Sequence, residues 1–224
     1  MRAGVVIFPG TNCDSETFYV LKDLAGFDTQ YVWHEDVSIE KFHLIVLPGG
    51  FSYGDYLRPG AMAKVSPAVQ ALHDYVEKER GLVLGICNGF QILTEAGLLV
   101  GGLTRNQGLK FICKSVLLRI TRNDLPFTQF FAQGEVISLP IAHMDGRYVA
   151  HAEDLEYLRN SGLIFIEYED ENPNGSLLNI AGITNEKRNV FGLMPHPERN
   201  AEKIQGSGDG LRFFESLWEF LKHG

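Results

Sequence analysis

Leu82-Val83-Leu84-Gly85-Ile86-Cys87-Asn88-Gly89-Phe90-Gln91 is the stretch from which the fold of this chain is read. Its first five residues form a continuous apolar run of buried-strand length. Asn88–Ala96 then has the composition of a helix, closed by Gly97. A strand that passes through Gly-x-Cys-x-Gly straight into a helix has the form of a nucleophile elbow. Gly85 and Gly89 are predicted to allow the tight turn and to leave room above it. The elbow lifts its central side chain to the carboxyl edge of a sheet, where open α/β folds bind ligands. It also sets the Cys87 thiol at a helix N-terminus, whose partial positive charge favours thiolate, the form that attacks an amide carbon. Buried cysteines are commonly plain packing residues; glycine on both sides, after an apolar strand, turns the reading toward a nucleophile. Cys13 and Cys113 lack that setting. Cys113, within the strand-like run Phe111–Leu118, is expected in the core, and Cys13 in a packing or capping position.

Outward from the elbow, the first half alternates apolar runs with helical patterns. Gly4–Phe8, Thr29–Trp33 and Leu44–Pro48 read as strands, the last emptying into Gly49-Gly50. A helix of about three turns carries Phe18, Leu21, Leu24 and Ala25 on one face, with Gly26 as its stop. Ser66-Pro67 reads as an N-cap and N1 proline opening a second helix. This β-α alternation predicts an α/β fold: an open, mostly parallel twisted sheet with helices on both faces. The second half changes character. Strand-like segments at 110–120, 135–141, 163–168, 177–184 and 190–194 predict additional antiparallel strands. Short helical pieces follow around Asp154–Asn160 and in a terminal amphipathic stretch carrying Leu211, Phe214, Leu217, Trp218 and Leu221. No linker or repeat divides the chain, so residues 1–224 are read as a single domain.

The bulk numbers narrow the setting. A formal net charge of −8 with no basic run argues against nucleic acid as a partner. No apolar stretch approaches the roughly 20 residues that span a bilayer. Met1–Phe8 runs into Pro9-Gly10 without the basic start and apolar core of a signal peptide, and 3 widely spaced cysteines make no disulfide framework. The expectation is a cytoplasmic protein.

A thiolate nucleophile needs a proton shuttle, which calls for histidine tuned near neutrality. Among seven histidines, His196 stands apart, in Met194-Pro195-His196-Pro197-Glu198 just after the apolar run Val190–Leu193. In extended backbone, residues i and i+2 point the same way, so the Glu198 carboxylate is placed to reach the imidazole. The backbone N–H groups at Gly50 and Asn88 are candidates for an oxyanion hole. His143, His151, His196 and Cys87 have no zinc-site spacing, so no metal is expected. No Gly-x-x-x-x-Gly-Lys-Ser/Thr occurs, so the chain has no recognisable means of binding ATP.

Pro48-Gly49-Gly50, Gly85-Ile86-Cys87-Asn88-Gly89 and His196-Pro197-Glu198, in that order, resemble the motifs of the triad (class I) glutamine amidotransferases. The extended loop Pro48–Ala61, Asn88 after the cysteine, and Met194–Arg199 are similar to the branch that serves purine synthesis. The resemblance implies a flavodoxin-like sheet and a Cys87, His196, Glu198 triad that hydrolyses L-glutamine. It further implies an oxyanion hole from the amides of Gly50 and Asn88, and substrate contacts at Gly49, Gln91 and His143. The alternative reading of Gln91, as an ordinary polar residue of a helix start, is the less favoured one. No cofactor is implied on this chain; ATP and Mg belong to a large partner synthetase subunit, with a small third subunit beside it. In the loop Phe51–Ala61, Phe51, Tyr53, Tyr56 and Leu57 are read either as a docking surface or as self-packing aromatics. A triad amidotransferase feeding another synthase, a flavodoxin-like cysteine hydrolase and a silent regulatory subunit are the competing readings.

Overall fold

The computed structural model describes residues 1–78 and 81–223. Among the described residues, nine strands form one mixed sheet in the order β2-β1-β3-β4-β11-β10-β9-β6-β7. They are β1 (Arg2–Ile7), β2 (Asp28–Trp33), β3 (Leu44–Leu47), β4 (Leu82–Ile86), β6 (Ile112–Ile120), β7 (Val136–His143), β9 (Ile164–Tyr168), β10 (Ile180–Thr184) and β11 (Val190–Leu193). Pairing is parallel from β2 through to β11 and antiparallel from β11 to β7. The sequence carries this division. Every residue of β3, β4 and β11 is buried, so the centre is covered on both faces and its strands are unbroken apolar runs. In β7, by contrast, buried and more exposed residues alternate, the mark of a strand with one dry face.

The helices are α1 (Asp14–Tyr19), α2 (Pro67–Glu77), α3 (Asn88–Glu95), α4 (Ala152–Asn160) and α5 (Asp209–His223). The first helix winds down through a π-helical turn, Val20–Leu24, where the Ala25 N–H bonds five residues back to the Val20 carbonyl at 2.9 Å. The α5 helix buries Phe213, Phe214, Leu217 and Leu221, and Phe213 stacks on Phe127 beside Phe165 and Phe191. None of the described helices is long and apolar enough to cross a membrane.

Four local expectations change. Leu177–Asn179 is a 3-10 turn with Leu178 and Asn179 at positive φ, so the strand expected from 177 begins at Ile180. The short pair β5 (Gly102–Thr104) and β8 (Arg147–Val149) forms a second sheet that periodicity did not announce. Ser66 does occupy the N-cap of α2 in extended conformation, yet its hydroxyl makes no capping hydrogen bond. Cys113 is exposed instead of buried. Val116, Leu118 and Ile120 face inward on β6, and the period of two turns Cys113 outward.

The two elbow glycines answer to packing beneath the turn. A Cβ on Gly85 would lie 2.7 Å from the Gly89 carbonyl, and one on Gly89 would run into the Leu47 carbonyl oxygen. They let the first turn of α3 sit directly on β3 and β4. Gly89→Ala is therefore expected to destabilise the fold by about 3 kcal/mol, because a main-chain oxygen in a central strand cannot yield. Helix propensity alone predicts a gain of about 1 kcal/mol, the opposite sign. Chemical denaturation of the variant decides between them.

Candidate active site

Three neighbouring parallel strands deliver the site. In register, Leu47 of β3 lies beside Gly85 of β4, and Leu193 of β11 beside Ile86. Their carboxyl ends release Pro48-Gly49-Gly50, Cys87, and Met194-Pro195-His196 at one level of the sheet, the edge where open α/β folds bind ligands. The Cys87 N–H donates to the Leu193 carbonyl at 2.8 Å, and the His196 N–H to the Pro140 carbonyl at 2.8 Å. Cys87 has φ 51° and ψ −103°, a conformation L-residues avoid, and forms the N-cap of α3. Holding such a residue costs on the order of 1–3 kcal/mol and is characteristic of nucleophile turns. Asn88 follows at the first helical position, where an amide has no partner within the helix.

Cys87, His196, Gly50, Cys13, Phe111, Ala142 and Arg199 are among the residues lining a cleft of about 110 Å³. His196 and Glu198 are each 1% exposed, and His196 Nδ1 lies 2.6 Å from Glu198 Oε1. The opposite ring nitrogen, Nε2, is buried and makes no hydrogen bond among the described residues. Burial opposes a charge on this ring, but Glu198 and Cys87 outweigh it and raise the pKa to about 10. His196 is thus an imidazolium at neutral pH, well above the near-neutral tuning that the sequence led us to expect. Gly49 makes room for the ring: a Cβ there would stand 2.7 Å from His196 Cε1 and 3.1 Å from Cys13 Sγ.

The remaining sequence candidates form a tether around the elbow. Asn88 Oδ1 accepts from the Ser52 N–H at 3.0 Å, and Asn88 Nδ2 donates to Gln91 Oε1 at 2.8 Å. Gln91 Nε2 in turn donates to the Asp145 carbonyl at 2.7 Å, so both ends of this side chain are engaged. His143 is 3% exposed, and burial together with the charge of His196 lowers its pKa to about 4. The loop after Gly50 divides its aromatics. Tyr53 turns inward, its hydroxyl 2.9 Å from His34 Nδ1, while Phe51, Tyr56 and Leu57 are 44%, 75% and 83% exposed.

Sequence reasoning assigned no part in the site to three groups here, although Cys13 is the buried helix-capping residue it expected. Cys13 is buried, and Arg199 Nη2 donates to its sulfur at 3.0 Å. Burial first, and then the Glu198 charge, push the Cys13 thiol far above its ordinary range. Cys13, His196 and Glu198 bring potential ligand atoms within 4.8 Å of one another. The Arg199 guanidinium on the Cys13 sulfur and the Glu198 bond to Nδ1 make this set a poor cation site. Asp55 is the second: burial and the nearby Asp145 raise its carboxyl to about 6. The third, Asn106, is completely buried and touches His143. Only Cys13 carried a signal in sequence, as a cysteine at a helix start.

The family model for the CobB/CobQ-like glutamine amidotransferase domain matches residues 1–218. A phosphoribosylformylglycinamidine synthase subunit PurQ of Alkaliphilus metalliredigens is 53% identical over 224 residues, covering 100% of this chain and 98% of the relative. Its counterpart in Pseudothermotoga lettingae is 54% identical over 230 residues, covering 99% and 97%. Among solved structures, one of PurLQS from Thermotoga maritima superposes with a TM-score of 0.90 at 46% identity, over 98% of both chains. The chain therefore belongs to the CobB/CobQ-like glutamine amidotransferase domain family, among the PurQ subunits of phosphoribosylformylglycinamidine synthase.

Proposed function

We propose that this chain is the glutaminase subunit of a phosphoribosylformylglycinamidine synthase, hydrolysing L-glutamine through Cys87, His196 and Glu198. The observation that carries the reading is the convergence of Cys87 with the buried His196–Glu198 pair on one cleft at the carboxyl ends of β3, β4 and β11. In this mechanism the Cys87 thiolate attacks the γ-carbonyl carbon. The electron pair of the C=O moves onto oxygen, which the amides of Gly50 and Asn88 stabilise. Collapse expels the nitrogen as it takes the His196 proton, giving ammonia and a γ-glutamyl thioester. Neutral His196 then removes a proton from water, and the hydroxide equivalent attacks the thioester. The second collapse releases glutamate and regenerates the Cys87 thiolate and the imidazolium. Glu198 holds the ring by Nδ1 and balances its charge. Gly49 lets the ring approach; Gln91, bonded to Asn88 and Asp145, and the buried His143 are the family-implied groups for the amino-acid end of the substrate, and neither lines the cleft itself.

This chain would carry no cofactor. ATP and Mg belong on a large synthetase subunit that converts formylglycinamide ribonucleotide to formylglycinamidine ribonucleotide with the ammonia supplied here, in the cytoplasm, with a small third subunit in the assembly. Phe51 and Phe111, at 44% and 48% exposure, border the cleft and, like the exposed Tyr56, Leu57 and Leu109, are apolar groups of the kind such a partner covers. The test measures glutamate release from glutamine by the chain alone and with the synthetase, ATP and formylglycinamide ribonucleotide. Release that rises with all three is expected. Release indifferent to them would uncouple the chain from this acceptor.

A further inference from the structure

Only the main-chain amide of Asn88 takes part in the proposed hydrolysis, yet its side chain is buried and hydrogen-bonded at both ends. Fixed main-chain groups determine which end is which. The Ser52 N–H only donates, at 3.0 Å, so the atom it meets is the Asn88 amide oxygen. The Asp145 carbonyl only accepts, at 2.7 Å, so it meets the Gln91 NH2 group. The Gln91 oxygen is then left to accept from Asn88 Nδ2 at 2.8 Å. The series Ser52, Asn88, Gln91, Asp145 runs in one direction, and neither amide flips without setting like groups against each other.

The two oxyanion donors sit on separate segments. Gly50, at φ 135°, belongs to the connection leaving β3, and its N–H donates to no group among the described residues. Asn88 opens α3, next to the Cys87 turn. On one side the Gly50 segment hangs from the connection between β1 and α1. There the Cys13 N–H donates to the Gly49 carbonyl at 3.3 Å, the Phe51 N–H to the Gly10 carbonyl at 3.2 Å and the Tyr53 N–H to the Pro9 carbonyl at 2.6 Å. Toward α3, the bond from Ser52 to Asn88 is the only hydrogen bond that residues 48–55 make among the described residues. The ties of Arg58 and Lys64 to Glu95 lie beyond that stretch, at the last residue of the helix. Gly89 seats the helix on Leu47, before the chain turns at Gly50. The Asn88 side chain holds the segment after that turn.

We propose that the Asn88 side chain is a positioning group that, by holding Ser52, fixes the Gly50 amide relative to the Asn88 amide so that both N–H groups converge on one oxyanion. The assignment rests on reading the cleft as a glutaminase site. Gly50 and Cys87 line that cleft, whereas the Asn88 side chain does not and acts through Ser52 and Gly50. The oxyanion forms only on attack, so loss of this alignment is felt in the transition state and not in substrate binding.

The test compares Asn88→Ala and Asn88→Leu with the wild type, each assembled with the synthetase, with thermal melts to establish folding. Both variants are neutral, and leucine keeps the volume, so it remains informative if the alanine variant unfolds. The kcat for glutamate release is expected to fall about 10²-fold. KM for glutamine rises less than about three-fold, since Gln91 keeps its bond to Asp145. Alkylation by iodoacetamide supplies the readout that a merely structural role would not separate. The Cys87 thiolate displaces iodide from a saturated carbon, so an S–C bond replaces C–I and no oxyanion forms. Its rate is expected to stay within about two-fold of the wild type, with peptide mapping to set Cys87 apart from the exposed Cys113. An unchanged kcat in a folded variant overturns the proposal. Alkylation that falls together with kcat also overturns it, because Asn88 would then hold the nucleophile and not the oxyanion donors. A wild-type complex that releases no glutamate sinks the glutaminase reading, and the proposal with it.

Discussion

Cys87→Ala is expected to abolish glutamate release from glutamine, by at least about 10⁴-fold, while the complex continues to amidate its acceptor from added ammonia. No other described group can take the place of this sulfur. Cys13 lines the same cleft, but its thiol is held protonated by burial and by Glu198, and Arg199 already donates to it. A protonated thiol is a weak nucleophile. The same substitution has a second readout through the backbone. Alanine retains a Cβ at φ 51° and ψ −103°, so the strain stays. Cys87→Gly removes the Cβ and recovers about 1–3 kcal/mol of strain, against about 1 kcal/mol of added unfolded-state entropy. Both variants are expected to be inactive, with the glycine variant melting no lower than the alanine one. Persistent glutaminase activity in Cys87→Ala would remove the nucleophile assignment and turn attention to Cys13.

The part of the site that sequence discloses is the part written in contiguous residues. Strand, turn and helix in Leu82–Glu95 are local, and the composition that builds the elbow also marks it. His196 and Glu198 meet as expected, though not in extended backbone: His196, extended at φ −105°, ψ 90°, caps a 3-10 turn, Pro197–Asn200, that carries Glu198 back to the ring. What sequence could not give depends on separate segments meeting. Asn106 and His143 are 37 residues apart and touch only after β7 has paired with β6. The ionisation of His196 is set by burial, which opposes it, against the neighbouring Glu198 and Cys87, which favour it, a balance for which no linear pattern exists. The roles of Gly85 and Gly89 were legible only in part for a related reason: a motif shows that a Cβ is absent and a tight turn allowed, but not which atom lies where the Cβ would be. Cys113 shows the converse error, since a strand-like run fixes the period of two but not which parity faces inward.

Glu198→Gln isolates charge from orientation at the His196 ring. An amide oxygen in the same place still accepts from Nδ1–H, so the imidazole keeps its pose and tautomer. The negative charge is lost, and with it the largest influence that favours the imidazolium; burial, which opposes the charge, then prevails. A fall in kcat of about 10²–10⁴-fold is expected, since His196 no longer holds the proton that the leaving nitrogen takes. Stability carries the same signature. The folded pKa of His196, about 10, lies above the ordinary value of 6.5. Its contribution is therefore fully present below that ordinary value and disappears as pH rises through about 10. In the variant that upward shift collapses. The wild-type advantage in Tm is expected to be largest just below pH 6.5 and to shrink steadily as pH rises from there toward about 10. Tm curves that run parallel across that range would mean that Glu198 only orients the ring, and that the imidazolium owes its stability to Cys87 alone.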